Sequence, residues 1–220
     1  VGVHRDGGFA DYVSLPAGNY LPIPDGLDYE GAAIAADAVN TSWHCMRERA
    51  QVNPHDDVLL IGAGGGVGIH GVQVAKLFGA RVIAVDISEA KLDLARQWGA
   101  DEVINVRAVD DLTAEVKKLT DGKGVEAAVD FHGAPETFQA CIESLTRAGR
   151  AVVVGVHPGD VKVNPIDLAK TEQVITGSRH SSRAELMETM EVMARGDVKA
   201  VVGKRVHFTE VETLFDDLKG

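Results

Sequence analysis

Asp57-Val58-Leu59-Leu60-Ile61-Gly62-Ala63-Gly64-Gly65-Gly66-Val67-Gly68 is an apolar run that ends in a glycine cluster. Arg81-Val82-Ile83-Ala84-Val85-Asp86 is a second apolar run, and it ends in an acid. An amphipathic helix over 67–78 is expected between them. Strand, glycine turn, helix, strand and acid, in that order, describe a dinucleotide site. Glycines let the backbone approach a pyrophosphate, and the helix start offers unpaired N–H groups and its positive end. A strict GxGxxG is absent. In the register Ala63-Gly64-Gly65-Gly66-Val67-Gly68 an alanine stands where the first glycine would fall, whereas Gly62, Gly64 and Gly68 fit a turn one residue longer.

Asp86 lies about 20 residues beyond the glycines, where a carboxylate can accept both ribose hydroxyls. A 2'-phosphate would meet like charge there, which favours NAD over NADP. Alternatively, Asp86 only caps the turn into Ser88. Lys91, five residues on, either reaches the same ribose or is solvated surface.

Alternation continues downstream. Strands are expected at 57–61, 81–86, 102–106, 125–131, 150–155 and 173–177, with helices at 67–78, 89–98, 110–119, 135–146 and 182–194. Ser88, Pro135 and Ser182 followed by Glu185 mark helix starts. Such a chain folds as an α/β, doubly wound parallel sheet of Rossmann type. Only 157–172 looks irregular. In open α/β sheets the rest of the ligand lies beyond the carboxyl ends of the strands. That nominates Phe131-His132-Gly133, Val154-Gly155-Val156 and Gly177-Ser178-Arg179, although each could be a plain turn. Before the alternation, Phe9 to Leu15 reads as a short strand, Asp28 caps a helix to about Ala36, and a second helix runs from Thr41 to Ala50. After it, Val201 to Phe208 reads as a strand and Glu210 to Lys219 as a helix.

Composition narrows the function classes. Apolar residues make up 45% and aromatics only 5%, so the core must be mostly aliphatic, as buried parallel strands require. A net charge of -11 argues against a nucleic-acid groove. No stretch approaches the roughly 18 apolar residues that span a bilayer. Two distant cysteines, Cys45 and Cys141, fit a reduced, cytoplasmic setting, with Cys141 packed in the core. Val1-Gly2-Val3-His4 lacks an initiator Met and suggests an excerpt of a longer protein. No Ser-His-Asp or Cys-His arrangement stands out, and His157 and His180 fall near the expected cleft mouth. Asp37 sits between an alanine-rich run and Asn40-Thr41-Ser42. It can cap the Thr41 helix, or ligate a metal with Thr41 facing the cofactor.

Taken together, these motifs resemble the medium-chain, zinc-dependent alcohol dehydrogenases and their polyol and quinone reductase relatives. The resemblance runs from Gly7-Gly8-Phe9-Ala10-Asp11-Tyr12 through Ala35-Ala36-Asp37, Asn40-Thr41-Ser42-Trp43, the glycine run, Asp86, Lys91, Gly99-Ala100-Asp101 and Gly155-Val156 to Gly177-Ser178 and the acidic tail. It implies that 1–36 end a GroES-like catalytic domain, 37–200 form the NAD-binding domain, and 201–220 return to the catalytic domain. It places Asp37 at a catalytic zinc ligand, usually a cysteine, with the other ligands upstream of Val1. Thr41 is then a catalytic and nicotinamide-side residue, Gly62, Gly64, Gly65, Gly66, Val67 and Gly68 hold the pyrophosphate, and Asp86 and Lys91 hold the ribose. Phe131, Val154, Gly155, Val156, Gly177 and Ser178 line the nicotinamide. The implied activity is NAD-dependent oxidation of a primary or secondary alcohol or polyol with zinc assistance, in a homodimer or homotetramer paired near Val161-Lys162-Val163. On this reading the 220 residues alone bind cofactor without turnover. A zinc-free enone or quinone reductase and a non-catalytic dinucleotide-binding module are the rivals.

Overall fold

The structure is a computed structural model that describes residues 6–219, so Val1–His4 lie outside the described residues. Six parallel strands form one sheet: β1 (Asp57–Ile61), β2 (Arg81–Asp86), β3 (Glu102–Asn105), β4 (Val125–Asp130), β5 (Leu145–Val153) and β6 (Val174–Gly177). Their order is β3-β2-β1-β4-β5-β6, which puts the reversal of winding between β1 and β4. Leu59 pairs with Ile83 on one side and Ala128 on the other.

The central strands β1 and β2 are buried on both faces, which is why they read as apolar runs. Side chains alternate between faces along each strand. Val58, Leu60, Val82, Ala84, Ala127 and Val129 join one core, whereas Leu59, Ile61, Ile83, Val85 and Ala128 join the other. The first core is covered by the N-terminal helical stretch, by α3 (Gly68–Leu77) and by α8 (Arg183–Ala194); α4 (Glu89–Gln97) adds Ala95. The second is covered by α5 (Leu112–Leu119) and α6 (Pro135–Ser144) through Val116, Phe138, Cys141 and Ile142. Cys45 and Cys141 are buried free thiols.

Several sequence expectations need correction. Helix α3 is not amphipathic. Every residue from Gly68 to Ala75 is buried, because the helix is covered on the side away from the sheet as well. The two expected N-terminal helices are one. Asp28 does cap the start, its Oδ1 accepting the Gly31 N–H at 2.7 Å. From there α1 (Tyr29–Ile34) and α2 (Asn40–His44) are joined through a π-helical turn at Ala35–Val39, and a second at Cys45–Ala50 closes the stretch. Gln51, with φ 53°, ends it. Asp37 is therefore inside a helix and caps nothing.

Strand β5 makes its first pairing at Leu145, but Thr146–Gly149 bow out around Ala148 (φ 59°) before regular pairing resumes at Arg150. The irregular connection contains a short helix, α7 (Pro165–Thr171), with Asn164 accepting the Ile166 N–H at 3.0 Å. Neither Phe9–Leu15 nor Val201–Phe208 is a strand. A strand needs a ladder partner, and neither segment is paired in the sheet among the described residues. The tail ends in α9 (Val211–Lys219), as expected. No helix among the described residues is long and apolar enough to cross a membrane.

Candidate dinucleotide and active site

At the end of β1 the chain turns through Gly62, whose φ of 74° suits glycine. Gly62 and Ala63 both donate to the Val85 carbonyl, at 2.9 and 3.1 Å, which ties the turn to β2. Gly65 N–H closes back on the Gly62 carbonyl at 3.1 Å. Two glycines are dictated by packing. A Cβ on Gly68 would lie 2.1 Å from the Gly62 oxygen, and one on Gly64 would lie 2.4 Å from Lys91 Cβ. Gly66 differs, because a Cβ there would meet nothing within 4 Å. The amides of Gly66 and Val67 donate to no acceptor among the described residues. Open space and free N–H groups at the start of a ten-residue helix make an anion cradle.

Asp86 is 6% exposed at the carboxyl end of β2. Its Oδ2 accepts the Gly64 N–H at 3.1 Å and its Oδ1 the Ile87 N–H at 2.8 Å. It thus braces the glycine turn through Gly64 and, through Ile87, also caps the turn into Ser88, the N-cap of α4. Each carboxylate oxygen retains a lone pair for a ligand hydroxyl. A cavity of about 450 Å³ opens beside it, lined by Gly62, Gly65, Asp86, Lys91, Phe131 and His132 among others. Turn, acid and lysine therefore face one space.

Around the switch point the strand ends converge. Phe131 N–H donates to the Ile61 carbonyl at 3.0 Å, and its ring fills the place of a side chain on Gly71 of α3. Val154 and Gly155 N–H both donate to the Asp130 carbonyl. Gly133 and Gly155 touch so closely that a Cβ on Gly155 would lie 2.0 Å from the His132 oxygen. Val156, next in the chain, is 94% exposed. Ser178 is anchored by its N–H to the Val153 carbonyl at 2.9 Å, beside Gly177 at the end of β6. The Ser178 hydroxyl is buried next to the Cys45 thiol without a partner at hydrogen-bonding geometry. Burial pushes that thiol up to about 12, against a weaker opposite pull from Ser178.

Asp37 and Thr41 lie one helical turn apart. The Thr41 hydroxyl donates to Asp37 Oδ1 at 3.2 Å, and His180 Nδ1 stands 3.8 Å from the same oxygen. The Asp37 side chain is 74% exposed. Next to Thr41, the Ser42 hydroxyl lies 2.9 Å from the Val67 carbonyl and 3.0 Å from the Ala38 carbonyl. This joins the Asp37 helix to the glycine turn. A protein zinc site takes at least three protein donors. No group of three or more His, Cys, Asp or Glu that could hold a metal occurs among the described residues. Among the described residues Asp37 is the carboxylate steadied by Thr41, with His180 the nearest ring nitrogen.

Three residues carry parts of this architecture that the sequence did not disclose. Asp130 is fully buried, and it accepts from His132 N–H at 2.9 Å, Gly133 N–H at 2.8 Å and the Thr137 hydroxyl at 2.6 Å. An acid ending an apolar strand two and three residues before His-Gly is the signal of such an Asx-type turn. Ser42 and His70 gave no comparable signal.

The sequence model described as zinc-binding dehydrogenase matches residues 66–195. The chain belongs to that family. The matched span starts in the glycine turn and ends with α8. An NAD-dependent alcohol dehydrogenase of Saccharolobus solfataricus is 30% identical over 220 residues, covering 100% of this chain and 63% of the relative. An L-threonine 3-dehydrogenase of Chromobacterium violaceum is 34% identical over 165 residues, or 74% of this chain and 47% of the relative. Among solved structures, the alcohol dehydrogenase of the archaeon Aeropyrum pernix superposes with a TM-score of 0.89 at 31% identity, covering 100% of this chain and 64% of that one. The chain thus spans less than two thirds of the length of these relatives.

Proposed function

We propose that this chain is the NAD-binding part of a zinc-assisted dehydrogenase that oxidises a primary or secondary alcohol, or a polyol, to an aldehyde or ketone. The observation that carries the reading is the buried Asp86 carboxylate, which braces the glycine turn and faces the same cavity. Asp86 accepts the adenosine ribose hydroxyls, with Lys91 beside them. The Gly66 and Val67 amides take the pyrophosphate, and Gly62, Gly64, Gly65 and Gly68 shape the turn that presents them. Phe131, Val154, Gly155, Val156, Gly177 and Ser178 flank the nicotinamide. Thr41 orients the ring from the helix side and holds Asp37 in place. Asp37 contributes one oxygen donor to the metal. When bound, NAD supplies the hydride acceptor and zinc the Lewis acidity. Domain limits at 1–36, 37–200 and 201–220, a homodimer or homotetramer and a cytoplasmic setting belong to the same proposal.

The test uses the full-length protein. Metal content and NAD-dependent oxidation of a small alcohol panel are measured before and after chelation, in wild type and Asp37→Ala. Bound zinc, activity lost on chelation, and loss of both in Asp37→Ala are expected. A zinc-free protein that reduces enones would overturn the reading.

A further inference from the structure

Helix α3 begins at the glycine turn and carries two polar side chains into its packed surroundings, His70 and Gln73. Three residues apart, they share a face. His70 is 1% exposed, with Nδ1 2.7 Å from the Gly66 carbonyl and Nε2 3.1 Å from the Val201 N–H. A carbonyl only accepts and an amide only donates, so the ring is neutral with its proton on Nδ1. Gln73 Oε1 accepts the Lys199 N–H at 2.9 Å, and its Nε2 donates to the Lys199 carbonyl at 3.0 Å. The helix that starts at the turn is thus bound by three hydrogen bonds to the backbone of 199–201.

One of these contacts bears on the ligand. In a trans peptide the C=O and N–H point in opposite directions. Holding the Gly66 carbonyl toward the helix therefore turns the Val67 N–H outward, and that amide has no acceptor among the described residues. We propose that His70 is a positioning residue for the cofactor. By fixing the Gly66 carbonyl it aims the Val67 amide at the pyrophosphate, and by accepting the Val201 N–H it couples that orientation to the segment after Lys199. This rests on the NAD reading above and deepens it. Occupancy of the cradle and order at Val201 are two ends of one imidazole.

The experiment is calorimetric titration of the full-length protein with NAD, ADP and adenosine, in wild type, His70→Leu and His70→Gln. Losing one oriented amide to an anion weakens NAD and ADP about tenfold or more in His70→Leu, with adenosine unchanged. His70→Gln keeps a donor and an acceptor and recovers most of the loss. Equal weakening of all three ligands, or none, overturns the proposal. Amide exchange at Val201 in wild type needs no variant to fold: NAD slows it and adenosine does not, whereas an equal response contradicts the coupling. Failure of wild type to bind NAD would remove the functional reading itself. Binding without pyrophosphate selectivity in the variants removes only this inference.

Discussion

Gly68→Ala and Gly66→Ala separate what the glycine turn needs for folding from what it needs for ligand. At Gly68 the added methyl would sit 2.1 Å from the Gly62 oxygen and 2.9 Å from Ala63 Cα. Both are backbone atoms, and real Cβ contacts essentially never fall under 3.0 Å, so the turn must open by roughly 1 Å. Opening it strains the bonds from Gly62 and Ala63 to the Val85 carbonyl. Overpacking of this kind costs about 1–3 kcal/mol, which lowers Tm by about 2–12 °C for a chain of this size. At Gly66 no atom lies within 4 Å of the methyl, and φ is outside the left-handed region. Stability should hold or rise by about 0.4–1 kcal/mol through the unfolded chain. The methyl nevertheless projects into the space where a pyrophosphate would lie, so NAD affinity should fall about tenfold, near 1.4 kcal/mol. Thermal melts and NAD calorimetry on both variants give the answer. Gly66→Ala binding NAD like wild type, or Gly68→Ala melting like wild type, would refute the reasoning.

The remaining expectations concern buried polar groups. His70 is held neutral by burial, so its folded pKa lies below the usual value of 6.5. Its contribution to stability is then complete above about pH 6.5 and is lost as pH falls through the folded value. Melts between pH 7.5 and 5 should show a steeper decline in wild type than in His70→Gln, and parallel curves would contradict this. Asp130→Ala strands the His132 and Gly133 amides and should cost about 2–4 kcal/mol, seen as a Tm lower by roughly 4–16 °C. Cys45, pushed up to about 12, and Cys141, raised by burial with Asp130 nearby, should resist a thiol reagent at pH 8 until the protein is denatured. Labelling of the native protein would show that the core opens.

Strands β1 and β2 were legible to the residue because aliphatic runs buried on both faces leave no polar position to blur their ends, and glycine or an acid closes them. The N-terminal helix was not. Asn40-Thr41-Ser42 looks like a helix start, yet each side chain finds a partner that keeps it inside one. Asn40 Oδ1 accepts from Thr189, Thr41 donates to Asp37, and Ser42 reaches Ala38 and Val67. Tertiary partners overrode local preference. Phe9–Leu15 and Val201–Phe208 carry aromatic and β-branched residues that suit a strand, but local composition cannot supply a neighbour to pair with. The glycine turn and Asp86 could be read because their chemistry is local in sequence. His70 could not, since its two partners, Gly66 and Val201, lie on opposite sides of it in the chain and the second is 131 residues away.

Calorimetric binding of NAD and NADP to the full-length protein, with Asp86→Asn alongside, bears most directly on the claim that the Asp86 cavity is a dinucleotide site. The account predicts that wild type binds NAD at least about tenfold tighter than NADP, because the buried carboxylate repels a 2'-phosphate. Asp86→Asn should weaken NAD and narrow the difference. Equal affinity for the two cofactors in wild type, or no binding of either, would contradict it.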